Sequence, residues 1–169
     1  MRPDPSESQT VTHYFQVLVL SVDPGEIDEM CERALAFLHD EGIIELDDAP
    51  RAPGGRMARP PGPHWQQAIV EYEESFLQEG INGVECELGR QVFTPGDYDV
   101  VMRCPKCGAY HKADDAWQSA ARRYEAGQKA SLRCGECGDE TPVERWLYDP
   151  PIGFGNIGLV FWNWPSINH

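Results

Sequence analysis

Apolar residues run almost unbroken from Tyr14 to Leu20, and the stretch His13 to Val22 predicts a strand covered on both faces. The period then changes. Ile27, Met30, Cys31, Ala34, Leu35 and Leu38 recur at the spacing of one helical face. Asp23 is placed to cap that helix and Pro24 suits its first turn. Glu26 stands three residues past the cap, where its carboxylate can reach back to free backbone N–H groups. Gly42 can close the helix in a left-handed turn, and Ile43 to Leu46 predicts a short second strand. The first 46 residues therefore read as a βαβ unit.

Residues 48–63 break the pattern with five prolines, three glycines and three arginines, Arg51, Arg56 and Arg59. So little apolar surface predicts a mobile loop, whose arginines are candidates to meet an acidic group on a partner. Helical period returns over His64 to Glu79, with Trp65, Ile69, Tyr72 and Phe76 on one face, Glu71, Glu73 and Glu74 opposite, and Gly80 as the stop. Val84, Cys86 and Leu88 alternate with Glu85 and Glu87 as in a half-buried strand, and Tyr98 to Arg103 predicts another. A helix follows over Asp114 to Ala126, carrying Trp117, Ala120, Ala121 and Tyr124 on one side, then strands over Val143 to Tyr148 and Ile157 to Trp164. Along the last strand Phe161, Trp162 and Trp164 cannot all point the same way. At least one ring must leave the core, which makes Trp162 and Trp164 candidate partner anchors.

The cysteines carry the clearest chemistry. Cys104-Pro105-Lys106-Cys107-Gly108 and Cys134-Gly135-Glu136-Cys137-Gly138 share the pattern CxxCG. Two intervening residues let both sulfurs turn toward one point, and the following glycine can take the positive φ that lets backbone N–H groups face them. Together Cys104, Cys107, Cys134 and Cys137 supply four thiolates for one structural Zn²⁺, with no open position for water, which argues against a zinc hydrolase. His111 is a substitute ligand only if one cysteine is unused. CPKCG and CGECG, each beside a predicted strand, resemble the knuckles of the zinc ribbon superfamily over about residues 101–146. The 26 residues between Cys107 and Cys134 exceed the usual spacing, and the predicted helix fills them as an insertion. The resemblance implies docking to nucleic acid or to protein, without choosing between them.

Net charge sharpens that choice. The chain carries −14 overall, nearly all within residues 1–102, whereas residues 103–145 hold 8 Lys+Arg against 7 Asp+Glu. Such a surface repels phosphate backbones and attracts a basic protein. No GxSxG, HExxH, phosphate-loop or dinucleotide motif is present. Tyr14 to Val22 is too short for the roughly 18 apolar residues that cross a bilayer. The leader Met1 to Thr10 lacks the features of a secretion signal. Paired CxxC motifs suit a reducing compartment, where Cys31 and Cys86 are expected as buried free thiols. The expectation is a cytoplasmic α+β protein, with an acidic α/β domain over 1–97 and the ribbon with its aromatic C-terminal strand over 98–169. It is expected to bind another protein, a basic one, without catalysis; an inhibitor of the immunity-protein type fits by charge and size, and a nucleic-acid-associated ribbon is the alternative.

Overall fold

A computed structural model describes residues 14–94 and 99–168; the leader, His13, the Pro95–Gly96 link and Tyr98 lie outside the described residues. In chain order the elements are β1 (Phe15–Leu20), α1 (Ile27–Asp40), β2 (Ala49–Ala52), β3 (Arg56–Ala58), β4 (Val84–Phe93), β5 (Val101–Arg103), β6 (Tyr110–Lys112), α2 (Asp115–Glu125), β7 (Ser131–Arg133), β8 (Glu140–Pro142), β9 (Leu147–Asp149) and β10 (Gly153–Trp162). The α+β class holds.

The βαβ start does not form. β1 pairs with β10, antiparallel, from Phe15↔Trp162 to Leu20↔Ile157, and β10 pairs on its other side with β4, giving the order β1-β10-β4. Every ladder among the described residues is antiparallel. Residues 43–46 make a single bridge, Ile44 to Pro61; Ile43 and Ile44 are buried, while Glu45 and Leu46 are exposed. Ten-residue β10 offers β1 a complete row of backbone partners instead. β1 is therefore an edge strand, half-buried along its whole length, and not covered on both faces.

α1 is entered through a 3₁₀ turn, Pro24–Glu26, with Pro24 in its first turn as expected; Asp23 contributes its carbonyl to Glu26 N–H at 2.9 Å and makes no side-chain cap. Cys31 and Leu38 are buried on its inner face. Gly42 closes it at φ +71°, where any side chain would also strike the His64 ring. Cys31 and Cys86 are buried or half-buried, as expected, but joined as a disulfide and not free, since α1 packs against β4 with the two residues face to face, Cα atoms 6.7 Å apart.

The segment expected to be a mobile loop is an ordered hairpin, β2 paired with β3 around Gly54 and Gly55, both at φ +74°. Small residues are the cause. Ala52 and Ala58 are fully buried, and Gly83 brings its backbone so close that a Cβ there would overlap Ala58 and Arg51. That approach lets Gly83 N–H bond Arg51 O at 2.9 Å and lets Arg59 and Val84 exchange two backbone bonds. Order comes here from hydrogen bonding, not from apolar bulk.

Residues 64–80 form no α-helix, only 3₁₀ turns at Trp65–Ala68 and Glu74–Gln78. Between them the backbone is drawn out to the C-terminal segment: Ile69 bridges Ile167, and Val70 N–H bonds Ser166 O at 2.7 Å. The apolar face still packs. Trp65, Ile69 and Phe76 are buried, while Tyr72 is 66% exposed and stacks on Trp65 at 5.4 Å. They join Leu38, Ile44, Val84, Phe161 and Trp164 in a first core between the sheet and α1.

A second core lies under the ribbon, built from Met102, Ala120, Tyr124, Leu132, Val143 and Trp146. The far ends of β4 and β10 reach it through Val92 and Phe154, the latter edge-on to Tyr124 at 5.2 Å. The aromatic C-terminal strand, grouped by sequence with the ribbon, thus hydrogen-bonds to β1 and β4 and lends only its first residues to the ribbon. α2 begins as expected: the Asp114 carboxylate accepts Trp117 N–H at 3.0 Å. Asp114→Ala is expected to cost about 1 kcal/mol in urea unfolding, the usual value of a lost N-cap.

Candidate metal centre

Two short hairpins build the centre. In β5–β6, Arg103 faces Tyr110 and Met102 faces His111; in β7–β8, Arg133 faces Glu140 and Leu132 faces Thr141. Every one of these positions recurs 30 residues later in the chain. The backbone bonds repeat at the same offset. Cys104 N–H donates to Ala109 O at 2.9 Å and Cys134 N–H to Asp139 O at 2.8 Å, while Gly108 and Gly138 donate back to Cys104 O and Cys134 O at 2.9 Å each. Both glycines have positive φ, +75° and +72°. One knuckle is thus folded twice, with α2 spanning the interval that looked long in the sequence.

The knuckles face each other across the four sulfurs, which all lie within 4.8 Å of one another. Cys104 Sγ is 3.9 Å from Cys137 Sγ, and Cys107 Sγ is 3.6 Å from Cys134 Sγ. A tetrahedral zinc with bonds of about 2.3 Å requires sulfur–sulfur edges of about 3.8 Å, so the residues fit such an ion. Cys104 and Cys134 are buried, and Cys107 and Cys137 reach the surface. His111 stands aside from the quartet with Nε2 3.4 Å from Cys134 Sγ, in hydrogen-bonding reach of that sulfur.

The electrostatics favour a cation. The backbone N–H of Cys107, aimed at its sulfur, lowers the Cys104 thiol to about 7 against the opposing effect of desolvation. Ala109 N–H pulls the Cys107 thiol down, yet desolvation and the three neighbouring thiols raise it to about 12. One thiolate forms readily and another resists, because two anions so close repel; a divalent ion removes the conflict. Lys106 Nζ sits 2.6 Å from Asp139 Oδ1 and ties one knuckle to the other. That pairing holds the Asp139 carboxyl below its usual range and the Lys106 ammonium above its own.

The five residues expected to meet a partner do not gather at this centre. Trp164 is fully buried in the first core, its Nε1 donating to Asn82 O at 2.7 Å, and presents no surface to solvent. Arg51 Nη1 reaches Glu79 O and Asn82 Oδ1, both at 3.3 Å; Arg59 Nε pairs with Asp48 at 2.7 Å and its Nη1 bonds Leu46 O. Both arginines brace the hairpin. Arg56 and Trp162 do meet: the guanidinium lies 5.5 Å over the half-buried indole, and Glu85 Oε2 takes Trp162 Nε1 at 2.5 Å and Arg56 Nη2 at 3.2 Å. They stand on the sheet face turned away from α1, beside Phe15, Val17 and Val160, and neither core takes in Phe15, Val17 or Trp162. Sequence reasoning missed this face as a unit; its signal is the period-two set Phe15, Val17 and Val19, masked because the intervening Leu18 and Leu20 are apolar too.

No family model, no curated protein and no solved structure matches the chain. Among the described residues no helix is long and apolar enough to cross a membrane.

Proposed function

We propose that this is a non-catalytic protein-binding protein, its ribbon held by one structural Zn²⁺ and its partner a basic protein, as an inhibitor or immunity protein would require. The observation that carries the proposal is Trp162, a half-buried indole in the open sheet face. It lies among Phe15, Val17 and Phe93 and beside the acids Glu85 and Glu87. Aromatic rings of this kind, apolar at the centre with charge around them, dominate binding energy at protein interfaces. The −14 charge speeds encounter with a cationic surface and disfavours nucleic acid.

The zinc reading rests on the donor set: four sulfurs and no oxygen select a soft, tetrahedral ion, and a closed set leaves nothing to activate water. Tagged protein in an extract of its native host is expected to retain a basic protein, released by high salt. Trp162→Ala is expected to weaken that complex by about ten-fold or more at a temperature where the variant is still folded, with bound zinc unchanged. Retention of nucleic acid in place of protein, or equal binding by Trp162→Ala, defeats the proposal.

A further inference from the structure

Against the flank of the ribbon, α2 and the two hairpins enclose an open cleft of about 660 Å³. Its floor is apolar, formed by Met102, Leu132 and Trp146. Its walls are cationic, because Lys112 on β6, Arg123 on α2 and Arg133 on β7 come from three elements to line one space. The only carboxylate lining it is Asp114, already engaged as the cap of α2. Among the described residues none of the three cations forms an ion pair; the strongest engagement is Arg123 Nη2 with Ser131 O at 3.5 Å, the limit of a hydrogen bond. In a chain of net charge −14, this cleft is lined by three cations against one carboxylate.

We infer that this cleft binds a small phosphorylated molecule with a flat apolar body, such as a nucleoside monophosphate. Like charges drawn together repel, and a compact dianion relieves that repulsion with charge-assisted hydrogen bonds from both guanidiniums and the ammonium. The Ser119 and Ser131 hydroxyls lie on the same walls and add neutral donors. The sulfur-bearing floor beneath is the complement of a ring. A polymer of phosphates is the wrong ligand. Each further phosphate meets the acidic remainder of the chain, whereas a single phosphoryl group meets a lining with more cations than carboxylates. His111 also lines the cleft while contacting Cys134 Sγ, so the ligand sits one side chain away from the metal ligands.

The test is calorimetric titration of the zinc-loaded full chain with AMP, adenosine and a single-stranded oligonucleotide. AMP is expected to bind with one-to-one stoichiometry and adenosine at least about ten-fold more weakly, the value of one charge-assisted contact. The exposed pair Lys112→Glu/Arg123→Glu is expected to lose AMP binding. Ser119→Asp, which adds a charge to the cleft from the exposed side of α2, is expected to weaken it about ten-fold with zinc content and melting unchanged. The inference is overturned by the absence of saturable AMP binding, by adenosine binding as tightly as AMP, or by Ser119→Asp binding AMP like the wild type. An oligonucleotide that binds more tightly than AMP and is lost in the double variant overturns it as well, in favour of a nucleic-acid surface.

Discussion

Cys134→Ser is expected to lose the metal and unfold the ribbon over residues 101–149, with hydrogen exchange there rising to that of an open chain. The buried Cys134 sulfur lies 3.6 Å from Cys107 and 3.4 Å from His111, at the heart of the second core. Metal binding of this kind contributes on the order of 10 kcal/mol to folding, far more than the short two- and three-stranded ladders can supply alone. Elemental analysis of the variant should return less than one ion per chain, and a chelator should produce the same exchange pattern in the wild type. A Cys134→Ser protein that keeps a stoichiometric ion and a protected ribbon would mean that His111 completes the site, and the four-sulfur reading would be wrong.

Trp164→Ala is expected to remove about 4 kcal/mol from the stability of the first core, measured by urea unfolding. The indole is fully buried, tilted against Phe76 at 5.3 Å and edge-on to Phe161 at 5.2 Å. Truncation leaves a cavity and also deprives the buried carbonyl of Asn82 of its donor. Since domains of this size are stable by only about 5–15 kcal/mol, the variant should unfold at a much lower denaturant midpoint, with the four-cysteine site intact. A loss below about 1 kcal/mol would show that the sheet, α1 and residues 64–80 do not share one core.

What the sequence displays clearly is what is decided locally. Each CxxCG turn needs only its own five residues, and the capped α2 needs only Asp114 and the apolar stripe from Trp117 to Tyr124, so both the sulfur quartet and the inserted helix were legible. The misreadings share a different cause. Residues 64–80 carry a helical stripe, yet Ile69 and Val70 find backbone partners near Ile167, almost a hundred residues away, and the local preference yields. The hairpin at 49–58 reads as a mobile loop in the sequence because apolar bulk is what composition reveals. Its order rests on alanines and on Gly83 letting β4 come close. Cys31 is buried and Cys86 half-buried, as the apolar patterning implies, but only the packing of α1 on β4 brings them together. Arg51 and Arg59 are engaged in the fold for the same reason: each reaches one backbone carbonyl, of Glu79 and of Leu46, and one side-chain oxygen, of Asn82 and of Asp48, brought near by the hairpin, which no pattern of side chains announces.

The pairing of β1 with β10 sets the order in which the molecule can be made. A ribosome delivers residues 15–20 long before residues 153–162, and β10 is the central strand between β1 and β4. Until it emerges, the nascent chain must carry Phe15, Val17 and Leu18 without a mate, while the two knuckles, complete by residue 142, can already close on their ion. The metal module is thus available to fold first, and the sheet that holds Trp162 is assembled last, so a stalled or shortened translation product would present the cell with a finished ribbon and an adhesive, unpaired strand.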